Sequence, residues 1–97
     1  MKIIAVVVTY NRLNLLMECI KSLREQTRPL DEIIVVNNNS TDGTDAWLKG
    51  EPGLTIIRQD NLGGSGGQHT GMRTAAEHKA DWVWSMDDDA APDTEAL

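Results

Sequence analysis

Asp87, Asp88 and Asp89 follow one another where the apolar run Trp82-Val83-Trp84-Ser85-Met86 gives out. Carboxylates crowded at the end of an apolar run repel: two like charges about 4 Å apart cost roughly 4 kcal/mol at an effective dielectric of about 20. A divalent cation removes that cost. Mg2+ or Mn2+ takes oxygen ligands of this kind and commonly shares them with substrate phosphates. The alternative is an acidic turn solvated by water. Charge distribution favours a site: the net charge is −6, and the segment from Asp81 to Leu97 holds six acidic residues and no Lys or Arg, so it carries the whole imbalance. The rest of the chain balances nine basic against nine acidic groups. That balance leaves neither a nucleic-acid footprint nor a polybasic membrane patch, and it excludes polymeric DNA or RNA as the expected partner.

Three other polar clusters end apolar runs. Thr9-Tyr10-Asn11-Arg12 offers a ring that can stack on a nucleobase, flanked by short hydrogen-bonding groups; its plainer role is helix initiation, with Arg12 solvated. Asn37-Asn38-Asn39-Ser40-Thr41-Asp42-Gly43-Thr44 reads as a turn and helix cap whose amides also suit a base edge presenting N–H and C=O. Its likeness to a calcium loop fails at Lys49, which stands where the bidentate glutamate belongs. Asn61-Leu62-Gly63-Gly64-Ser65-Gly66-Gly67-Gln68-His69 allows backbone N–H groups to approach a phosphate or sugar at a helix start. It is neither G-x-G-x-x-G nor a Walker loop, and a flexible connector is the alternative. His69 and His78 carry no assignment.

The elements that position these clusters alternate. Ile3 to Val8, Ile33 to Val36, Leu54 to Ile57 and Trp82 to Met86 read as strands, the first two as the continuous β-branched runs of a sheet covered on both faces. Leu13, Leu16, Ile20 and Leu23 recur at helical spacing to about Gln26, before Pro29. A second helix carrying Trp47 and Leu48 is expected to be capped by Ser40 or Thr41 and stopped by Gly50 and Pro52. Gly63 to Gly67 reads as a loop, followed by a helix through Met72, Ala75 and Ala76 to about Lys79. The fold class is therefore α/β, a mostly parallel sheet of about four strands in the order 3-2-1-4 with flanking helices. All four polar clusters then share one sheet edge. Ligands of open α/β sheets bind where the winding reverses, here between strands 1 and 4.

Ninety-seven residues, 40% hydrophobic and 25% charged, suit one domain with one core. No apolar stretch approaches the ~20 residues of a membrane span, and Lys2 with Ile3 to Val8 is too short and lacks the cleavage pattern of a signal peptide. Cys19 is the only cysteine, which rules out an intramolecular disulfide; its neighbours Leu16, Ile20 and Leu23 suggest a packed thiol in a reducing compartment.

Taken together, Val6-Val7-Val8-Thr9-Tyr10-Asn11-Arg12, Ile34 through Thr44, Asn61-Leu62-Gly63-Gly64-Ser65-Gly66-Gly67 and Asp87-Asp88-Asp89 resemble the amino-terminal half of the inverting, GT-A type family 2 glycosyltransferases. The resemblance covers nearly the whole chain. It implies a Rossmann-like half-domain in which Thr9, Tyr10, Asn11 and Asn38 line a uridine-like or thymidine-like base, and in which Gly63 and Gly64 serve the same nucleotide. Asp87 to Asp89 correspond to the family's D-x-D motif, with Asp88 near the ribose, Asp87 and Asp89 as metal ligands, and Mg2+ or Mn2+ bridging the diphosphate of a UDP-sugar or dTDP-sugar. The implied reaction is attack of an acceptor hydroxyl, on a glycan or lipid-linked acceptor, at the anomeric carbon with inversion. The chain departs from the family in having Asn37-Asn38 where many members have Asp-Asp, and Gly67-Gln68-His69 where many have Ala-Arg-Asn. The Gly-Gly-Ser-Gly-Gly and Asp-Asp-Asp-Ala stretches lean toward galactofuranosyl- and rhamnosyl-transferring members. A cytoplasmic location is expected, compatible with peripheral contact at the inner face of a membrane. The catalytic base is expected beyond Leu97, so the 97 residues are expected to be a fragment that transfers no sugar and self-associates through its fourth strand. A noncatalytic nucleotide- or metal-binding module is the main competing class. A sugar nucleotidylyltransferase is the second, but the residues after the first strand are not its basic glycine loop.

Overall fold

Seven consecutive residues of β1 (Ile3–Thr9) are buried, as a strand covered on both faces requires. The computed structural model describes residues 1–60 and 63–88, the side chains of 63–65 excepted. Along these, β1 is followed by α1 (Leu13–Arg24), β2 (Glu32–Asn38), α2 (Thr44–Lys49), β3 (Leu54–Gln59), α3 (Gly63–Glu77) and β4 (Trp82–Asp87). The strands form one parallel sheet in the order β3-β2-β1-β4, as expected. In register, Val8 lies beside Val36 on one side and Asp87 on the other, and Asn38 lies beside Gln59.

Strand alternation divides the core into two layers. Ala5, Val7, Ile33 and Val35 pack with Leu16, Cys19, Ile20 and Leu23 of α1 and Leu48 of α2, and Trp84 and Met86 lean on this layer. Ile4, Val6, Val8, Ile34 and Val36 pack with Ala75 of α3, joined by Ile57 and Val83. Cys19 is fully buried, the packed thiol its neighbours suggested. β4 is an edge strand with Trp82 58% exposed, whereas Trp84 is half-buried against the core. No helix of the described residues is long and apolar enough to cross a membrane.

Three expectations are corrected. Gly63 to Gly67 is helical and forms the start of α3. Tertiary packing overrides the poor helix propensity of glycine here: a Cβ on Gly67 would stand 2.5 Å from a methyl of Val8, and one on Gly71 would stand 2.2 Å from a methyl of Val6. Gly67, Gly71 and Ala75, four residues apart, let the helix backbone lie directly on the sheet. The cap of α2 is Gly43, in the left-handed conformation at φ 98°, and neither Ser40 nor Thr41. Asp42 accepts instead from the Thr44 N–H (3.2 Å) and hydroxyl (2.5 Å). Finally, Asn37 and Asn38, expected in a turn, are buried residues of β2.

Candidate functional site

The carboxyl ends of β1 and β4 lie side by side, and the last residue of β1 is tied to the first residue beyond β4. Thr9 is 1% exposed and its hydroxyl donates to Asp88 Oδ2 at 2.9 Å, while Asp88, 4% exposed, also faces Arg12 at 3.5 Å. Arg12 therefore partners a buried carboxylate; solvation alone does not describe it. Tyr10 follows, half-exposed and outside the core.

The loops after β1 and β2 are stitched to each other. Asn11 adopts the left-handed backbone region at φ 50°, its N–H donates to Ser40 Oγ (3.0 Å), and its side-chain oxygen accepts from the Thr41 N–H (2.6 Å). The Leu13 N–H, in the first turn of α1, donates to Asp42 Oδ2 at 3.0 Å. Hydrogen bonds from the Thr44 hydroxyl above all, and from the Leu13 and Thr44 N–H groups, hold the Asp42 carboxyl below its ordinary value against the opposing effect of burial. Asn37 accepts from the Ser40 N–H (3.1 Å) and donates to Asp45, which also binds Arg58. A concavity lined by Asn11, Arg12, Leu13, Asn14, Leu15 and Asp42 adjoins this edge. A second concavity, involving Met17, Ile20 and Trp47 between α1 and α2, is remote from it.

Asn38 lies on the α3 side of the sheet, 2% exposed, beside Gly67. Its side-chain oxygen accepts from Gln59 Nε2 at 2.9 Å. Gly63 and Gly64 begin α3. Asp87 closes β4, exposed and without an ion pair among the described residues. Asp89 and Asn61 lie outside the described residues. The structure thus unites Thr9 with Asp88 and places Tyr10, Asn11 and Asp87 along the same edge, with Asn38 on the opposite sheet face from the Thr9–Asp88 pair.

No cluster of three His, Cys, Asp or Glu side chains gathers among the described residues. What they contribute toward a cation is the exposed Asp87 carboxylate, a hard oxygen donor of the type that Mg2+ and Mn2+ prefer. Asp88 is engaged by Thr9 and Arg12. Sequence reasoning missed the contacts of Arg12, Asp42 and Gln59, each made to a residue at least twenty positions away. A polar residue at the end of each strand was the available signal.

Comparison with known proteins agrees with this geometry. Residues 4–97 match the model of Glycosyl transferase family 2, and the chain belongs to that family. It is 38% identical over 96 residues to the galactofuranosyltransferase GlfT1 of Mycolicibacterium smegmatis, covering 96% of this chain and 32% of that protein. To GlfT1 of Mycobacterium tuberculosis it is 40% identical over 91 residues, covering 90% and 30%. Among solved structures it resembles S. aureus TarS 1-349 in complex with UDP, with a TM-score of 0.82 and 26% identity over 100% of this chain and 30% of that one. It also resembles the mannosyltransferase PcManGT from Pyrobaculum calidifontis in complex with GDP-Man and Mn2+, with a TM-score of 0.69 and 31% identity over 96% and 29%. The chain spans about a third of the length of the GlfT1 proteins. The α/β architecture and its strand order are those of the GT-A type.

Proposed function

We propose that residues 1–97 form the donor-binding part of a glycosyltransferase, which holds a nucleoside-diphosphate sugar at the carboxyl edge of the sheet and transfers the sugar to an acceptor hydroxyl with inversion. The observation that carries this reading is the Thr9–Asp88 hydrogen bond, which joins the end of β1, with Tyr10 next to it, to the acidic trio at the end of β4. These are the two strands between which an open sheet of this order binds its ligand. The ring of Tyr10 stacks on the base, Asn38 lies toward the base edge, the backbone at Gly63 and Gly64 meets the nucleotide, and Asp88 meets the ribose. Asp87 and Asp89 hold Mg2+ or Mn2+, and a bound ion of this kind supplies charge stabilisation for the departing diphosphate. Asn11 contributes by anchoring the loop that carries Tyr10.

The donor is a UDP-sugar or dTDP-sugar and the acceptor a glycan or lipid-linked glycan, in a cytoplasmic setting that includes the inner membrane surface. Support comes from the family match, from the two GlfT1 relatives and from neighbours whose structures contain UDP, or GDP-Man with Mn2+. No described residue is assigned the role of general base. The test is transfer by the full-length protein from UDP- and dTDP-sugars, with the anomeric configuration of the product read by NMR. Inverted product from one of these donors supports the proposal. Nucleotide binding without transfer to any glycan or lipid-linked acceptor would favour a noncatalytic module.

A further inference from the structure

Gln59 ends β3, two strands away from Tyr10, and its side chain is half-buried on the α3 side of the sheet. Its Nε2 is committed to Asn38 Oδ1 at 2.9 Å, and Asn38 is 2% exposed and cannot swing away without leaving the core. That bond fixes which end of the Gln59 amide is the donor. The carbonyl oxygen is the remaining group, an acceptor with no partner among the described residues, at the same sheet edge as Tyr10 and Asp87.

Distance places this acceptor at one end of a nucleotide. From β3 to β4 there are three inter-strand steps, about 14 Å in all, which is the reach of an extended nucleoside diphosphate from base edge to terminal phosphate. With the diphosphate beside Asp87 and the ring of Tyr10 between, the base edge falls over the ends of β2 and β3. Resting on the donor-site reading above, we infer that Gln59 is a specificity-determining residue whose Oε1 accepts the imide N3–H of uracil or thymine. Cytosine presents a lone pair at N3, and two acceptors then face each other. A site that offers an acceptor at this point discriminates against the analogue that lacks the matching donor.

The experiment is calorimetric titration of the full-length protein with UDP and with CDP, in Mn2+, for wild type, Gln59→Leu and Gln59→Glu, with folding of each variant checked by thermal unfolding. Wild type is expected to bind UDP at least about tenfold more tightly than CDP. Gln59→Leu is expected to weaken UDP by about tenfold and not to weaken CDP, whose opposing acceptor is removed, so that the preference disappears. Gln59→Glu keeps an acceptor at this position and is expected to retain the preference. Should Gln59→Leu fail to fold, Gln59→Met gives the same readout in an unbranched side chain. Equal weakening of both nucleotides, an unchanged affinity for UDP, or loss of the preference in Gln59→Glu would overturn the inference. If neither nucleotide binds wild type, the donor-site reading falls and this inference with it; UDP binding with a ratio that Gln59→Leu does not move overturns this inference alone.

Discussion

Asp88 is a carboxylate inside the protein, and two of its partners are of unequal quality. Arg12 is 56% exposed and sits at 3.5 Å, so water screens its attraction, whereas the Thr9 hydroxyl is buried and donates at 2.9 Å. Thr9→Val keeps the shape of the strand end and removes the better donor. It is expected to lower unfolding free energy by about 1–3 kcal/mol, measured by urea denaturation; an unchanged midpoint would mean that the remaining partners of Asp88 suffice. At the other edge of the sheet, Glu32 receives the Thr55 hydroxyl (2.6 Å) and His78 Nδ1 (2.8 Å), while Lys2 reaches the His78 carbonyl (2.7 Å). Burial alone would raise the Glu32 carboxyl, but the hydrogen bonds from Thr55 and His78 and the charges of His78 and Lys2 together hold it below its ordinary value. A carboxyl that binds protons less readily when folded stabilises above its unfolded pKa, and the contribution is lost as pH falls through the lower, folded one. Wild type is therefore expected to exceed Glu32→Gln in stability at neutral pH, with the gap closing across the acid range. Parallel stability curves for the two proteins from neutral pH into acid would contradict this.

At the scale of elements, α3 shows two local rules in competition. Alanine is a better helix former than glycine by about 1 kcal/mol, but a Cβ on Gly71 meets Val6 at 2.2 Å and Val36 at 3.3 Å. Overpacking of this kind costs about 1–3 kcal/mol. Gly71→Ala is thus expected to lower the melting temperature despite the gain in propensity; a rise would show that α3 can lift off the sheet at little cost. The same competition explains what was legible in the sequence. Strand order followed from the β-branched runs of β1 and β2 and the need for crossovers between parallel neighbours, and both are local or topological signals. The helical state of Gly63 to Gly67 was not legible, because the packing of Gly67 is against methyl groups of Val8, more than fifty residues away. Likewise the capping of α2 fell to Gly43 because Ser40 is drawn to Asn11 and Asn37, contacts that no window around Ser40 reveals. Within the candidate site, the polar strand ends were legible from position alone, while the pairing of Thr9 with Asp88 and of Asn38 with Gln59 needed the register.

For the whole molecule, the described sheet ends in two edge strands, β3 and β4. Among the described residues β4 is an edge strand with Trp82 exposed, and strand edges are templates for pairing with another chain. The isolated 97-residue chain is expected to self-associate through this strand, giving a light-scattering mass above 10.7 kDa; a strictly monomeric mass would exclude it. Charge adds to this: the acidic excess of the chain lies from Asp81 onward, and among the described residues Asp87 and Asp88 stand at the end of the sheet that also carries Tyr10. On the proposed reading, a cation offsets the repulsion between these carboxylates and a diphosphate. The most direct measurement is titration of the full-length protein with UDP, with and without Mn2+, for wild type and for Asp87→Asn and Asp89→Asn. UDP binding that is strengthened by Mn2+ in wild type, with the strengthening abolished in Asp89→Asn and reduced in Asp87→Asn, is the expected result. Equal affinity with and without the ion, or a metal effect that survives both substitutions, would contradict the assignment of the acidic trio as the seat of the donor's cation.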